Sequence, residues 1–271
     1  MKPDRLFSHL GYISSRISSA NNVLLFSDFD GTLVPIREQP DDCLLDPKVG
    51  KTLAALATQN RVFVGIVSGR ELGDLRSRVQ VDGIAYAGNH GLEIEGSDFS
   101  FREPFAESLS EAMHCLAHEL KVAVSDVPGA WIQAKGLSTS VHFRQVAPRD
   151  VVRLHKMVQA VAAPYVDARQ IVVRAGKMVM EVRPNVDWHK GSAVGWLARQ
   201  MSPNDAQPLL LYLGDDDTDE DVFKMWRGAI TVCVGEQRET VARYFIHDPG
   251  DTHVFLDWLV RTIETQHALH S

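Results

Sequence analysis

The sequence predicts an α/β fold built on a largely parallel sheet and interrupted by a smaller α+β insert. Runs of Val, Ile, Leu and Phe recur along the chain, too continuous for half-exposed strands, and helix-like stretches follow them. Runs of this kind mark strands buried on both faces, and their alternation with helices marks a doubly wound sheet. Between about residues 103 and 183 the pattern changes to strands whose side chains alternate between apolar and polar, as antiparallel strands with one wet face do.

The elements follow in order. The first twenty residues read as an amphipathic helix packed on the core. Val23 to Asp28 is the first buried strand and ends in acid. "DPKVGKTLAALATQN" is a helix with Asp46 as N-cap and Pro47 at the first helical position. "RVFVGIVSGR" is a second buried strand, after which Ser68 and Gly69 open another helix, and "GIAYAGNHGLEIEG" adds a third strand and a glycine-bounded loop. The insert reads helix ("ESLSEAMHCLAHELKV"), two strands ("WIQAKGLSTSVHFR"), helix ("APRDVVRLHKMVQAVAA") and two strands ("QIVVRAG", "KMVMEVRP"). Parallel alternation then resumes with helix "KGSAVGWLARQM", strand "PLLLYLGDDD", helix "DEDVFKMW", strand "AITVCVG" and a final helix "DTHVFLDWLVRTIETQ".

Composition narrows the function classes. A chain of 271 residues can bury one large core or two modest ones. It holds no apolar run long enough to span a bilayer, and polar residues break up the start before it reaches signal-peptide length. A net charge of −7 argues against a broad nucleic-acid footprint. Cys43, Cys115 and Cys233 are scattered and odd in number, so neither a disulfide framework nor a zinc site is expected, and a cytoplasmic setting fits.

Two acid clusters end buried strands: Asp28 with Asp30, and Asp215, Asp216, Asp217 and Asp219. Open parallel sheets gather their functional loops at the carboxyl ends of strands. Crowded carboxylates there repel unless something positive sits among them, and hard oxygen donors suit magnesium (Mg2+). A calcium loop beginning at Asp215 would require Gly at 220 and Glu at 226, where Glu220 and Trp226 stand, so that reading fails. A solvated acidic turn stays open at "DDDTDED", although a second acid pair on another strand favours a metal.

With Asp28 as a nucleophile toward phosphorus, Asp30 supplies the second acid that protonates the departing oxygen and later deprotonates water. Gly31 and Thr32 form a small-residue turn whose backbone N–H groups can approach a phosphate. Ser68 adds a hydroxyl, and Lys190 a cation among the carboxylates.

Taken together, "DFDGT", Ser68, Lys190 and "GDDDTDEDVF" resemble the four motifs of the haloacid dehalogenase (HAD) superfamily of phosphatases. That resemblance implies a Rossmann-like hydrolase core (1–102 and 184–271) with an inserted C2-type cap (103–183). It implies Asp28 as nucleophile, Asp30 as general acid/base, Ser68 and Lys190 at the phosphate, and magnesium on Asp28, the Asp30 carbonyl and Asp215, with Asp216 and Asp219 beside it. "SGR" at 68–70, "GNHGLE" at 88–93, "AKGLSTSVHFR" at 134–144 and "MEVRP" at 180–184 are similar more closely to the trehalose-6-phosphate phosphatase family. This implies Gly69, Arg70, Asn89 and His90 at the substrate, and Lys135, His142, Arg144 and Glu181 on sugar hydroxyls, together with a functional link to a trehalose-6-phosphate synthase. Gln133 stands where that family usually carries Glu, so another glucosyl phosphate, of sucrose or glucosylglycerol, is the rival substrate. A receiver-like phospho-accepting domain is the rival of another class; Asp30 and the cap-sized insert argue against it. On spacing alone His142 and Arg144 fit a solvent face equally well, His90 fits a turn, Trp188 and His189 fit packing near Lys190, and "VFKMW" fits core.

Overall fold

The computed structural model describes residues 3–37, 40–176, 178–203, 207–235 and 239–270. It divides into two compact units, Met1–Phe101 with Trp188–Ser271, and Arg102–Asp187.

The larger unit carries the predicted sheet. Among the described residues the strand order is Asp4–Arg5, Tyr244–Ile246, Ile230–Val234, Leu209–Gly214, Val23–Ser27, Val62–Val67, Ala85–Gly88, Glu93–Glu95 and Ser100–Arg102. The first seven run parallel, and Glu93–Glu95 turns back antiparallel on Ala85–Gly88. Val23–Ser27 shows why the apolar run is unbroken. Val23 and Leu25 enter the core formed with Leu53, Leu56 and Phe255, whereas Leu24 and Phe26 enter the opposite core with Val194 and Leu197. Each such side chain contributes about 1.5–3 kcal/mol of burial. Gly65 on the neighbouring strand lies under the Phe26 ring, where a Cβ would sit 2.9 Å from the ring carbon.

Asp46 caps the helix Pro47–Ala57 through the Lys48 N–H, with Pro47 where the sequence places it. The helix Leu10–Ser19 buries Ile13 and Ile17 in the core, as expected for the start of the chain. One expectation needs correcting. The helix after the second strand is Leu72–Val79, capped by Glu71, and does not open at Ser68. Residues 68–70 are instead laced to the next loop, with Asn89 N–H donating to Arg70 O and His90 N–H to Ser68 O. The short strands Asp4–Arg5 and Tyr244–Ile246 and the returning strand Glu93–Glu95 carry no distinct sequence signal.

The smaller unit has the strand order Trp131–Ala134, Thr139–His142, Val179–Pro184 and Ile171–Gly176, all antiparallel. Ile132, Val141, Met180 and Val182 share the face packed with Leu116, Leu120, Leu154 and Val158 of the helices Ser110–Ala123 and Pro148–Asp167. The alternate positions, Trp131, Gln133, Ser140, His142 and Glu181, stand in register on the opposite face. Lys177, which begins the predicted last strand, lies outside the described residues.

Candidate active site

Register brings the chemistry together. Ser27 pairs with Ile66 on one side and Leu213 on the other, so Asp28, Ser68 and Asp215 emerge at the carboxyl ends of three adjacent strands. Asp28 is buried; its N–H donates to Leu213 O, and its Oδ1 accepts from the Phe29 N–H at 2.7 Å. Its Oδ2 lies 2.9 Å from Lys190 Nζ.

Lys190 opens the helix Lys190–Met201, capped by His189, and is 1% exposed. Its ammonium also lies 2.9 Å from Asp219 Oδ1 and 3.6 Å from Asp216 Oδ1. Asp219 is held further by the Tyr212 hydroxyl at 2.7 Å and by the Asp216 N–H. Asp216 accepts from the Thr218 N–H and hydroxyl. Asp215 accepts from the Thr32 hydroxyl at 3.0 Å and lies tight under Gly31. Gly31 has φ +81°, and a Cβ there would stand 2.1 Å from Asp215 Oδ2, so only glycine fits the turn. The Gly31 N–H is committed to Val34 O, which corrects the expectation that it could face a phosphate.

The electrostatics show a surplus of buried negative charge. Burial alone would neutralise Lys190, but Asp216, Asp219 and Asp28 hold it firmly as an ammonium. One cation cannot balance the surrounding carboxylates. Burial pushes the Asp28 carboxyl well above its ordinary range against the pull of Lys190, with Asp219, Asp216 and Asp215 adding repulsion. Burial, with Asp219 and Asp216, likewise pushes Asp215 up to about 7, and burial pushes Asp219 up to about 6. Asp216 alone goes down: Lys190, Thr218 and His90 outweigh its burial. Oxygens of Asp28, Asp216 and Asp219 all lie within 4.8 Å of one another. An all-oxygen donor set with excess negative charge fits a hard divalent cation.

Asp30, two residues beyond Asp28, has both carboxylate oxygens on Arg70, at 2.6 and 2.7 Å. Arg70 donates a third bond to Asp74 at 2.9 Å. Three of its five N–H donors thus serve carboxylates of the protein. Ser68 is 1% exposed and its Oγ accepts from the Arg70 N–H. His90 is buried in a left-handed conformation (φ 58°) with its ring against Gly69, where a Cβ would stand 2.7 Å from the ring. Asn89 is fully buried and donates its amide to Glu93 at 2.6 Å, so it builds the turn. Trp188 donates to Gly91 O, tying the same turn to the start of the Lys190 helix.

In the smaller unit, His142 Nε2 lies 3.1 Å from Gln133 Oε1, and its ring stacks on Trp131 at 3.9 Å. Burial, with Lys135 and Arg144, pushes His142 down to about 4, so it is neutral at physiological pH. Glu181 lies between Lys135 at 4.0 Å and Arg183 at 3.8 Å. Arg144 is exposed beyond the strand end. Sequence reasoning passed over Arg183, Tyr212, Asp74 and Glu93. Arg183 shares the face of Glu181 two positions on, and a tyrosine within the buried run "LLLYL" signals a hydroxyl in need of a partner.

A trehalose-phosphatase family model matches residues 26–249. Trehalose-phosphate phosphatase B of Arabidopsis thaliana is 30% identical over 261 residues, covering 90% of this chain and 67% of that protein. An uncharacterized glycosyl hydrolase of Mycobacterium tuberculosis is 36% identical over 216 residues; the match takes in 77% of this chain but only 16% of that protein. The crystal structure of a trehalose-6-phosphate phosphatase related protein superposes with a TM-score of 0.76 at 26% identity, covering 88% of this chain and 97% of that one. The match runs from the strand that bears Asp28, through both units, to the start of the last helix, and this chain belongs to the trehalose-phosphatase family.

Proposed function

We propose that this chain hydrolyses the phosphomonoester of trehalose 6-phosphate through a phosphoaspartate on Asp28. The observation that carries the reading is the buried Asp28 carboxylate, 2.9 Å from Lys190, with a second carboxyl two residues away. An Asp28 oxygen bonds to phosphorus as the bond from phosphorus to the sugar oxygen breaks, and Asp30 gives that oxygen its proton. Water then attacks the phosphoaspartate, yields its proton to Asp30, and releases phosphate and the original Asp28 carboxylate. Lys190 and the Ser68 hydroxyl hold the phosphoryl oxygens in a water-poor setting, where such contacts gain strength. Magnesium would be held by Asp28, Asp215 and the Asp30 carbonyl, beside Asp216 and Asp219, and would supply positive charge to the phosphoryl group.

The polar sheet face of the smaller unit, as the cap, supplies sugar recognition through Lys135, His142, Glu181 and Arg183. Gln133 keeps the second ring open to question, because an amide donates or accepts without charge. A synthase that phosphorylates no sugar itself but joins a glucosyl unit to a sugar phosphate would supply the substrate. Phosphate release from trehalose, sucrose and glucosylglycerol phosphates, with and without magnesium, tests the reading. Turnover confined to trehalose 6-phosphate supports it, and preference for either other ester transfers the activity to that sugar. None of the described helices is long and apolar enough to cross a membrane, and all three cysteines are free, in keeping with a reducing compartment.

A further inference from the structure

Behind Asp30 the ion pairs form a ladder of alternating charge. Asp30 lies on Arg70, Arg70 on Asp74 at 2.9 Å, Asp74 on Arg78 at 2.8 Å, and Arg78 on Asp41 at 2.7 Å. The two arginine side chains are 7% and 9% exposed, so their contacts with Asp30 and Asp74 are less screened than surface pairs, whereas Asp41 at the outer end stands in solvent. A side-on guanidinium fixes the plane of the carboxylate it binds, but the guanidinium itself rides on a flexible stem. Asp74 removes that freedom. It binds Arg70 with one oxygen and Arg78 with the other, and its own place is set by the first turn of the helix Leu72–Val79, where its N–H donates to Glu71.

We infer that Asp74 is a positioning residue for proton transfer: acting through Arg70, it sets where the Asp30 carboxyl stands as the ester bond breaks. The inference rests on the phosphoaspartate reading above and deepens it. A carboxyl misplaced by about an ångström loses much of its catalytic value, on the order of a hundredfold. That loss should depend on the leaving group. A sugar or alkyl alkoxide must receive the Asp30 proton as it departs, whereas nitrophenolate leaves without one.

The test is a rapid-mixing measurement of the first turnover for Asp74→Asn, with magnesium, on phosphate esters graded from p-nitrophenyl through phenyl to alkyl. The expected result is a p-nitrophenol burst within about twofold of wild type, alkyl and phenyl esters slowed by about ten- to a hundredfold, and recovery of most of that loss in Asp74→Glu. Equal losses across the series, or no loss at all, would overturn the inference. Should Asp74→Asn fail to fold, Arg78→Gln loosens Asp74 from its other side and must show the same graded loss at smaller size; a uniform loss there overturns the inference as well. Failure of the wild type to turn over trehalose 6-phosphate would sink the substrate reading alone, because the graded series contains no sugar.

Discussion

In the larger unit Lys190 holds Asp28 and Asp219 at 2.9 Å, with all three side chains almost wholly out of water. In the smaller unit Glu181 meets Lys135 at 4.0 Å and Arg183 at 3.8 Å, with a fifth of its side chain exposed. The two carboxylate clusters have the same chemistry on different terms. Short buried pairs are expensive to build and to break, and they fix geometry. The pairs of Glu181 are longer, and although its two cations are themselves nearly buried, a fifth of the carboxylate meets water, so it is better placed than Asp28 to exchange a contact for a hydroxyl. Under the proposed function the difference is a division of labour: one cluster would be set in advance for bond making, the other left adjustable for recognition.

The comparison can be broken most severely at Asp28. Asp28→Asn keeps the shape and removes the nucleophile, and we expect a fall of about ten-thousandfold or more in phosphate release on every ester. Retention of an appreciable rate on sugar and aryl phosphates alike would place the nucleophile elsewhere. Lys190→Ala comes next, because it leaves Asp28, Asp216 and Asp219 facing one another without a cation. We expect about 3–5 kcal/mol of destabilisation in denaturant unfolding, partly offset by millimolar magnesium. Unchanged stability would mean that the carboxylates are not held by that charge.

How much of this was legible in the sequence depended on whether a residue's partner lay nearby along the chain. Asp28 and Asp215 could be read because each ends an unbroken apolar run, and a strand end is a place. Asp46 and Pro47 announced their helix because a cap acts within three residues. Ser68 does not start a helix because its segment answers to Asn89 and His90, which follow the neighbouring strand. Asp74 stands four residues from both Arg70 and Arg78, but the link through Arg70 to Asp30 is closed only by the fold, as is the choice of Asp219 as partner of the Tyr212 hydroxyl. In the smaller unit the alternation of Val141, His142 and Phe143 showed a wet face and a dry one. It could not show that His142 would stack on Trp131 and accept or donate at Gln133, because strand register joins them.

The smallest expected effect sharpens the recognition side. Burial holds the His142 imidazole down at about 4, below the usual 6.5, so the unfolded chain takes up that proton first as pH falls. His142 therefore contributes stability that is fully present above pH 6.5 and is lost progressively toward pH 4. Replacing Gln133 by Glu puts a carboxylate beside the ring and should raise the imidazole's titration point, as followed by NMR, and narrow that acid-sensitive window. A titration point unmoved by the new charge would separate the two side chains.

The division of labour itself is tested most directly by one ratio, kcat/KM for trehalose 6-phosphate over that for p-nitrophenyl phosphate, compared between wild type and Glu181→Ala. The account predicts that the ratio falls by about tenfold or more, carried by the sugar ester, while the aryl ester stays within about twofold. Equal losses on both esters, or none on either, would contradict it.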